Sequence, residues 1–518
     1  MATAIFDVAI VGFGPSGAVA AALLGQAGHR VFVCDQSREV YALPRAIALD
    51  HEILRVFQKL GLIEAIEPYV EPFTDSCYYG VDGRLIRRMT MIAPPYPLGW
   101  TPSVVFSQPP VERALRASVQ ALSGVTVRLG VALASLRQDS AGVELGLADG
   151  ERVHARFVIG CDGASSTVRS LAGIGLDDLG FDEPWLVVDV RANERGLARL
   201  PAHSVQYCEP DRPCSYVIGP GNHRRWEISL NDGENPTEAA TAACTWKLLE
   251  RWITPDQGEL WRQASYRFHA LVADRWRAGR VFVAGDAAHQ QPPFLGQGMC
   301  QGIRDVVNLG WKLDAVLHGR AGDRLLDSYG IERKAHVREL TTRLKAIGSL
   351  IGERDPERAR ARDERLLAEA GGEVKATPRQ DVLPRLEGGA LAAADTPARG
   401  TLFPQPWLGR TEGTRRMDDI LGCGWRLFTT SPQPVPQDAI DVPDLRIADL
   451  ATLGETDRVL ATWFERHGCA AALVRPDHYV FGTARDPAAV PALLAEAAGA
   501  LHRHNDTSTE TSRCNDDT

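Results

Sequence analysis

Apolar and polar positions along this chain follow two rhythms, and the changes between them divide it. Phe6-Asp7-Val8-Ala9-Ile10-Val11 is a short β-prone run that feeds Gly12-Phe13-Gly14-Pro15-Ser16-Gly17. An Ala- and Leu-rich stretch through about Ala27 predicts a helix. Gly28-His29-Arg30 then turns into a second apolar run, residues 31–34, ending at Asp35. Two later apolar runs, residues 157–159 and 281–284, lead into small-residue turns that carry Asp162-Gly163 and Gly285-Asp286. The spacing over residues 302–317 predicts a helix against a sheet. Between these pieces, residues 186–190 and 214–218 read as strands of an antiparallel sheet. Further on, the charge-dense residues 353–369 read as a solvated helical face before a connector. Residues 425–429 then read as a strand, 458–467 as a helix, and 473–482 as a turn into a strand.

Composition narrows the class. At 518 residues the chain is long enough for two or three domains, and 44% apolar residues exclude overall disorder. A net charge of -9 disfavours nucleic acid or anionic membrane as partner. No apolar stretch approaches twenty residues, so no membrane span is expected. Asp7 interrupts the first apolar run, with no basic segment before it, so no signal peptide is expected. The ten cysteines form no CxxC pair, and Cys208 and Cys214 lie too far from other soft ligands for zinc, so no metal site is expected. Scattered cysteines fit a reducing cytoplasm. Residues 502–518 are polar and read as a loose tail.

The first segment is a βαβ unit with a GxGxxG turn. Gly12 permits the tight turn, Gly14 lets a diphosphate approach the backbone, and Gly17 lets the helix pack closely. Pro15 and Ser16 open the helix whose N-terminus faces the phosphates. Asp35, 18 residues after Gly17, can accept from a ribose hydroxyl, with Gln36 beside it. The loop alone does not separate FAD from a nicotinamide cofactor, and a structural glycine turn is its bland alternative.

Taken with Asp162-Gly163 and Gly285-Asp286, this loop resembles that of the class A flavoprotein monooxygenases, the FAD-dependent aromatic-ring hydroxylases, over residues 5 to about 350. The resemblance implies an α/β fold. A discontinuous Rossmann-like FAD-binding domain (residues 1–72, 106–175 and 276–350) would interleave with an antiparallel-sheet substrate domain (73–105 and 176–275). A helical connecting segment would cover 351–400, a thioredoxin-like domain 401–500, and a flexible tail 501–518. Arg475, Pro476, Asp477 and Gly482 resemble the pattern of the thioredoxin-like domain of larger members. Without CxxC it should lack thiol-disulfide chemistry and serve packing or oligomer contact.

The same resemblance implies FAD as cofactor, NADPH or NADH as transient electron donor, and O2 as co-substrate. A flavin C4a-hydroperoxide would hydroxylate a small phenolic ring. Asp162 and Gly163 would serve FAD and the nicotinamide cofactor, and Asp286 the ribityl chain. Arg45, Gln108 and Arg113 match cofactor-contacting positions. Gly296, Gly298 and Met299 lie where backbone N–H groups can meet the flavin ring carbonyls. Pro293 belongs to a proline-containing loop beside the ring. His289, after the GD pair, is a candidate at the reaction centre, against a capping role. Tyr207, Tyr216, His203 and Tyr266 are candidates to orient a phenol, against a core role for each. Arg191, Arg224 and Arg225 are weighed for a substrate carboxylate, against plain surface charge. Residues 45–57 and 297–313 look like 3-(3-hydroxyphenyl)propionate hydroxylases. A resorcinol, polyketide or other natural-product phenol is the alternative, and an FAD oxidase or dehydrogenase a more distant one. Assembly as a homodimer is left open.

Overall fold

The computed structural model describes residues 5–374, 376–410, 413–431 and 442–502. The expected tail lies outside the described residues, except that Leu501 and His502 end the last helix. Among the described residues, no helix is long and apolar enough to cross a membrane.

The apolar runs at the N-terminus become a parallel sheet. Its strands lie in the order Val281–Val283, Arg152–Gly160, Phe6–Val11, Val31–Asp35 and Val125–Leu129. Val8 to Val11 and Val31 to Cys34 are buried without alternation, as a sheet covered on both faces requires. The Pro15–Gln26 helix lies close to Gly298–Leu317. Gly302 permits that approach, because a Cβ there would meet Ser16 Oγ at 2.4 Å. The latter helix begins at Gly298, four residues before the periodicity predicts it.

A second sheet has nine strands. Its centre runs Gly258–Ala273, Leu176–Ala192, His223–Ser229, Cys214–Ile218 and Ser204–Tyr207, all antiparallel to their neighbours. Ser76–Tyr79 adds in parallel, followed by Leu85–Thr90 and then Ala376–Pro378. The segment after residue 351 is therefore more than a connector, since it supplies an edge strand. Its charge run is not wholly solvated either. Arg362 and Asp363 are buried, with Arg362 donating to the Cys208 carbonyl and Asp363 accepting from Val81 N–H.

A third sheet orders Arg446–Asp449, Arg426–Thr429, Ala471–Val474 and Val480–Ala484, the first pair parallel and the rest antiparallel. It joins the main body through buried charge. Arg475, fully buried, donates to Glu332 at 2.7 Å and to Asp477 at 2.6 Å. Lys312 and Asn308 also donate to Glu332 or lie against it, at 2.9 and 2.6 Å. Burial pushes the Glu332 carboxyl up, but Arg475 and Lys312 outweigh burial and hold it at about 2 instead of the ordinary 4.5.

Removing one partner of a buried ion pair strands the others in low dielectric. Glu332→Ala should therefore cost roughly 3–5 kcal/mol, read as a lower denaturant midpoint. In the unmodified protein the contribution of Glu332 is complete above its unfolded pKa. It is lost as pH falls from 4.5 through about 2, so acid titration of wild type and variant should converge across that range.

Candidate active site

The glycine loop has the geometry a diphosphate needs. Gly12 has φ +99°, and a Cβ on it would meet the Cys161 carbonyl oxygen at 2.3 Å. A Cβ on Gly17 would meet the Gly12 carbonyl oxygen at 1.9 Å. Gly14 has open space on its Cβ side, at the N-terminus of Pro15–Gln26, where anions are favoured. Asp35 accepts from Phe13 N–H at 2.6 Å and from Ser37 N–H at 2.7 Å, so it shapes the loop as well as facing it. Gln36 is exposed.

The GD turn is held from behind. Asp305 accepts from Gly285 N–H at 2.9 Å, from Arg333 Nε at 2.9 Å, and pairs with His289 Nε2 at 2.8 Å. Burial pushes the Asp305 carboxyl up, yet His289 and Arg333 hold it below its usual range. His289 is itself buried and stacked on Trp276, so it braces the turn. The Asp286 side chain is open to the cleft, and its desolvating walls raise its carboxyl above the usual range. Asp162 accepts from Ser166 Oγ at 2.5 Å and Val168 N–H at 3.0 Å, while Gly163 takes φ +82°. Gln108 accepts from Ala46 N–H at 2.7 Å, fixing the segment that bears Arg45. Arg45 is exposed over the Tyr41 ring, and Arg113 is exposed.

The loop with Pro293, Gly296, Gly298 and Met299 is half-buried and bent. Leu295 and Gly296 both take left-handed φ, +66° and +64°. For a leucine this costs on the order of 1–2 kcal/mol. Arg379, from the segment after the long helices, holds the bend: it donates to the Leu295 carbonyl at 3.0 Å and to Ser76 Oγ at 3.3 Å, and lies 4.1 Å over Phe73. Arg379 is buried and has no carboxylate partner among the described residues.

Strand alternation sorts the substrate-side candidates. Tyr207 packs on Trp252 and Tyr216 on Trp226, within the core that includes Leu249 of Ala242–Leu249. That face turns away from the flavin loops, so the expectation that these tyrosines orient a phenol is corrected. Their strand neighbours Gln206 and Ser215 point to the other face, in one cross-strand row with Val187 and Glu227. The next row along holds Asp189 and Arg225, and Arg225 donates to the Arg45 carbonyl at 2.7 Å. On the other side of the row, Trp185 meets Phe294 edge-on at 5.6 Å. The Gln206–Ser215–Glu227 row thus lies between the Arg45 segment and the Pro293 loop. Arg225 is fully used on Asp189 and Arg45. Arg191 lies over Trp261, Arg224 bonds local carbonyls, His203 pairs with Tyr79, and Tyr266 is exposed beside Arg262. Glu227 and Arg379 went unnoticed in the sequence: a period of two does not reveal which face meets the flavin, and nothing near Arg379 carries a motif.

Comparisons with known proteins agree with this geometry. The FAD binding domain family matches residues 6–344, and the HcaD C-terminal domain family matches residues 435–500. A Rhodococcus jostii (strain RHA1) protein named "Probable NADH-specific resorcinol 4-hydroxylase" is 38% identical, covering 96% of this chain and 95% of its own. A Mycobacterium sp. (strain JLS) protein named 3-(3-hydroxy-phenyl)propionate/3-hydroxycinnamic acid hydroxylase is 32% identical, covering 96% and 92%. Aklavinone-11 hydroxylase, solved in a ternary complex with FAD and aklavinone, superposes with a TM-score of 0.79 at 25% identity, covering 96% of this chain and all of its own. The flavin-dependent monooxygenase PieE shares the fold, with a TM-score of 0.80 at 24% identity and 96% and 99% coverage.

This chain belongs to the FAD binding domain family of flavoprotein aromatic hydroxylases. It is an FAD-dependent enzyme of the aromatic-hydroxylase type. Because Gly14 has room for a methyl group, Gly14→Ala should leave apo stability within about 0.5 kcal/mol. The methyl would intrude where a diphosphate approaches, so FAD affinity should fall at least about tenfold, read by flavin fluorescence titration.

Proposed function

We propose that this enzyme hydroxylates a phenol bearing a second substituent meta to its hydroxyl, with resorcinol as the lead and NADH as the donor. The carrying observation is the Gln206–Ser215–Glu227 row, three polar groups capable of hydrogen bonding set beside Val187 and Val217 between the Arg45 segment and the Pro293 loop. Such a site recognises hydroxyls, and leaves its buried polar groups unpaired with a phenol that lacks them. The whole-length Rhodococcus relative, named for resorcinol and NADH, supports the same reading.

On this reading Gly12, Gly14, Pro15, Ser16 and Gly17 cradle the FAD diphosphate, and Asp35 takes the ribose. Asp286 takes the ribityl chain, and residues 296–299 face the ring carbonyls. Arg45, Gln108, Asp162 and Gly163 complete the cleft. Bound FAD supplies the electron relay and the activation of O2. The chain positions the ring and excludes water. The strand order of the third sheet supports a thioredoxin-like unit, acting here by packing.

A second reading, 3-(3-hydroxyphenyl)propionate, is favoured by Arg379, a buried cation free of any carboxylate partner among the described residues. Product analysis under labelled O2 separates them. Resorcinol should yield a benzenetriol carrying one labelled oxygen, with stoichiometric NADH use. NADH oxidation that makes only peroxide with every phenol tested would sink both readings. Under the second reading, Arg379→Met raises KM for the phenylpropionate at least about tenfold more than for resorcinol.

A further inference from the structure

Glu227 stands out among the buried acids. Its strand places it in the middle of the row just described, with Val187 on one side and Ser215 on the other. It is 8% exposed. No donor among the described residues bonds its carboxyl, whereas Asp189, Asp305, Glu332 and Asp418 are each held by two or more donors. Ser215 Oγ, its neighbour, is turned away onto Gln206 Oε1 at 2.5 Å. A buried carboxyl without a partner is costly, and one on the substrate-facing side of a site has a chemical use.

We propose that Glu227 is the catalytic base that takes the proton from the substrate's phenolic hydroxyl, a role that rests on the phenol reading above. The phenolic O–H bond breaks, its electron pair stays on oxygen, and the proton passes to a Glu227 carboxylate oxygen. The ring becomes a phenolate, richer in electrons at its ortho and para carbons, where oxygen is inserted. As the ring regains aromaticity, the hydrogen of the newly hydroxylated carbon leaves as a proton to solvent and Glu227 returns its proton to the original phenolic oxygen, so the base is unchanged after each turnover.

The surroundings suit this exchange. Burial raises the Glu227 carboxyl to about 7, with Asp189 adding to the rise and Arg225 and Arg262 opposing it. A free phenol loses its proton near 10. Transfer to Glu227 is then about a thousandfold uphill, instead of several hundred-thousandfold for an ordinary glutamate. Arg225 on the same strand and Arg262 on Gly258–Ala273 are the nearby cations, and they favour the phenolate. Asp189, on Leu176–Ala192, is already paired with Arg225 and His223. Arg45 and Tyr41 lie beyond Arg262 on the facing segment.

The test uses FAD-loaded enzyme and the phenol that the wild type converts. Wild-type kcat should rise with pH through about 7 as Glu227 becomes the carboxylate. Glu227→Gln should still bind FAD, lose that limb, and turn over about 100-fold more slowly at pH 7.5. Its rate should recover only as pH nears the phenol's own pKa. Glu227→Asp should regain part of the rate and the limb. A Glu227→Gln enzyme within threefold of wild type, with the limb intact, would overturn the proposal. So would a wild type without the limb, which decides the matter even where Glu227→Gln fails to load FAD. A wild type that converts no phenol overturns the substrate reading itself, before any variant is made.

Discussion

Everything around the cofactor cleft hangs on the buried polar face of one helix, Gly298–Leu317. Gln301, Arg304, Asp305, Asn308 and Lys312 recur at helical spacing and all are buried. Between them they reach several parts of the chain that lie far apart in sequence. Arg304 bonds Asp50 and Glu52, at the start of the helix His51–Lys59, and Gln297, the N-cap of its own helix. Asp305 holds the GD turn, His289 and Arg333. Asn308 and Lys312 meet Glu332, and through it Arg475 of the third sheet. Such a stripe gains little net stability over an apolar one, because desolvation offsets the attraction. Its effect is positional: any other docking leaves a charge buried alone.

That fixed frame lets the cleft tolerate strain. Leu295 stays left-handed because Arg379 grips its carbonyl from one side, while Phe294 wedges between Phe181 and Trp185 on the other. The bend leads straight into the start of the helix, whose first N–H groups have no partner within the helix. The flavin side and the substrate side are thereby joined at one short loop, and a residue from the segment after the long helices secures both. The third sheet reaches this same frame from outside: Tyr479 donates to Glu52, and Arg55 binds Asp418 and the Phe403 carbonyl.

The glycine loop, the DG and GD turns and their strands were legible in the sequence because their demands are local. A positive φ at Gly12 and the absence of a Cβ at Gly17 are conditions that one residue type meets. A dinucleotide-binding fold follows from those conditions and from the order of the segments, and the resemblance of the three turns together to the flavoprotein hydroxylases pointed to FAD. The strand holding Tyr216 was legible as well, since β-prone alternation is also local.

Which face of the strands holding Tyr207 and Tyr216 serves the substrate was not legible. A period of two marks two faces without saying which one meets another domain. Only the packing of Ala242–Leu249 on Trp226 and Trp252, with Arg225 gripping the Arg45 carbonyl opposite, decides that Gln206, Ser215 and Glu227 face the cleft while the tyrosines are core. The charge run at 353–369 and the solitary Arg379 carry no motif, and their burial depends on partners far away in sequence, such as Cys208, Val81 and Leu295. The sequence by itself therefore determined the dinucleotide-binding unit, through backbone requirements that act within a few residues, while the cofactor and the class of chemistry came from the resemblance its three turns carry to the flavoprotein hydroxylases. The tertiary structure alone decided which side chains meet the substrate, because that choice is made by contacts between segments the chain order keeps apart.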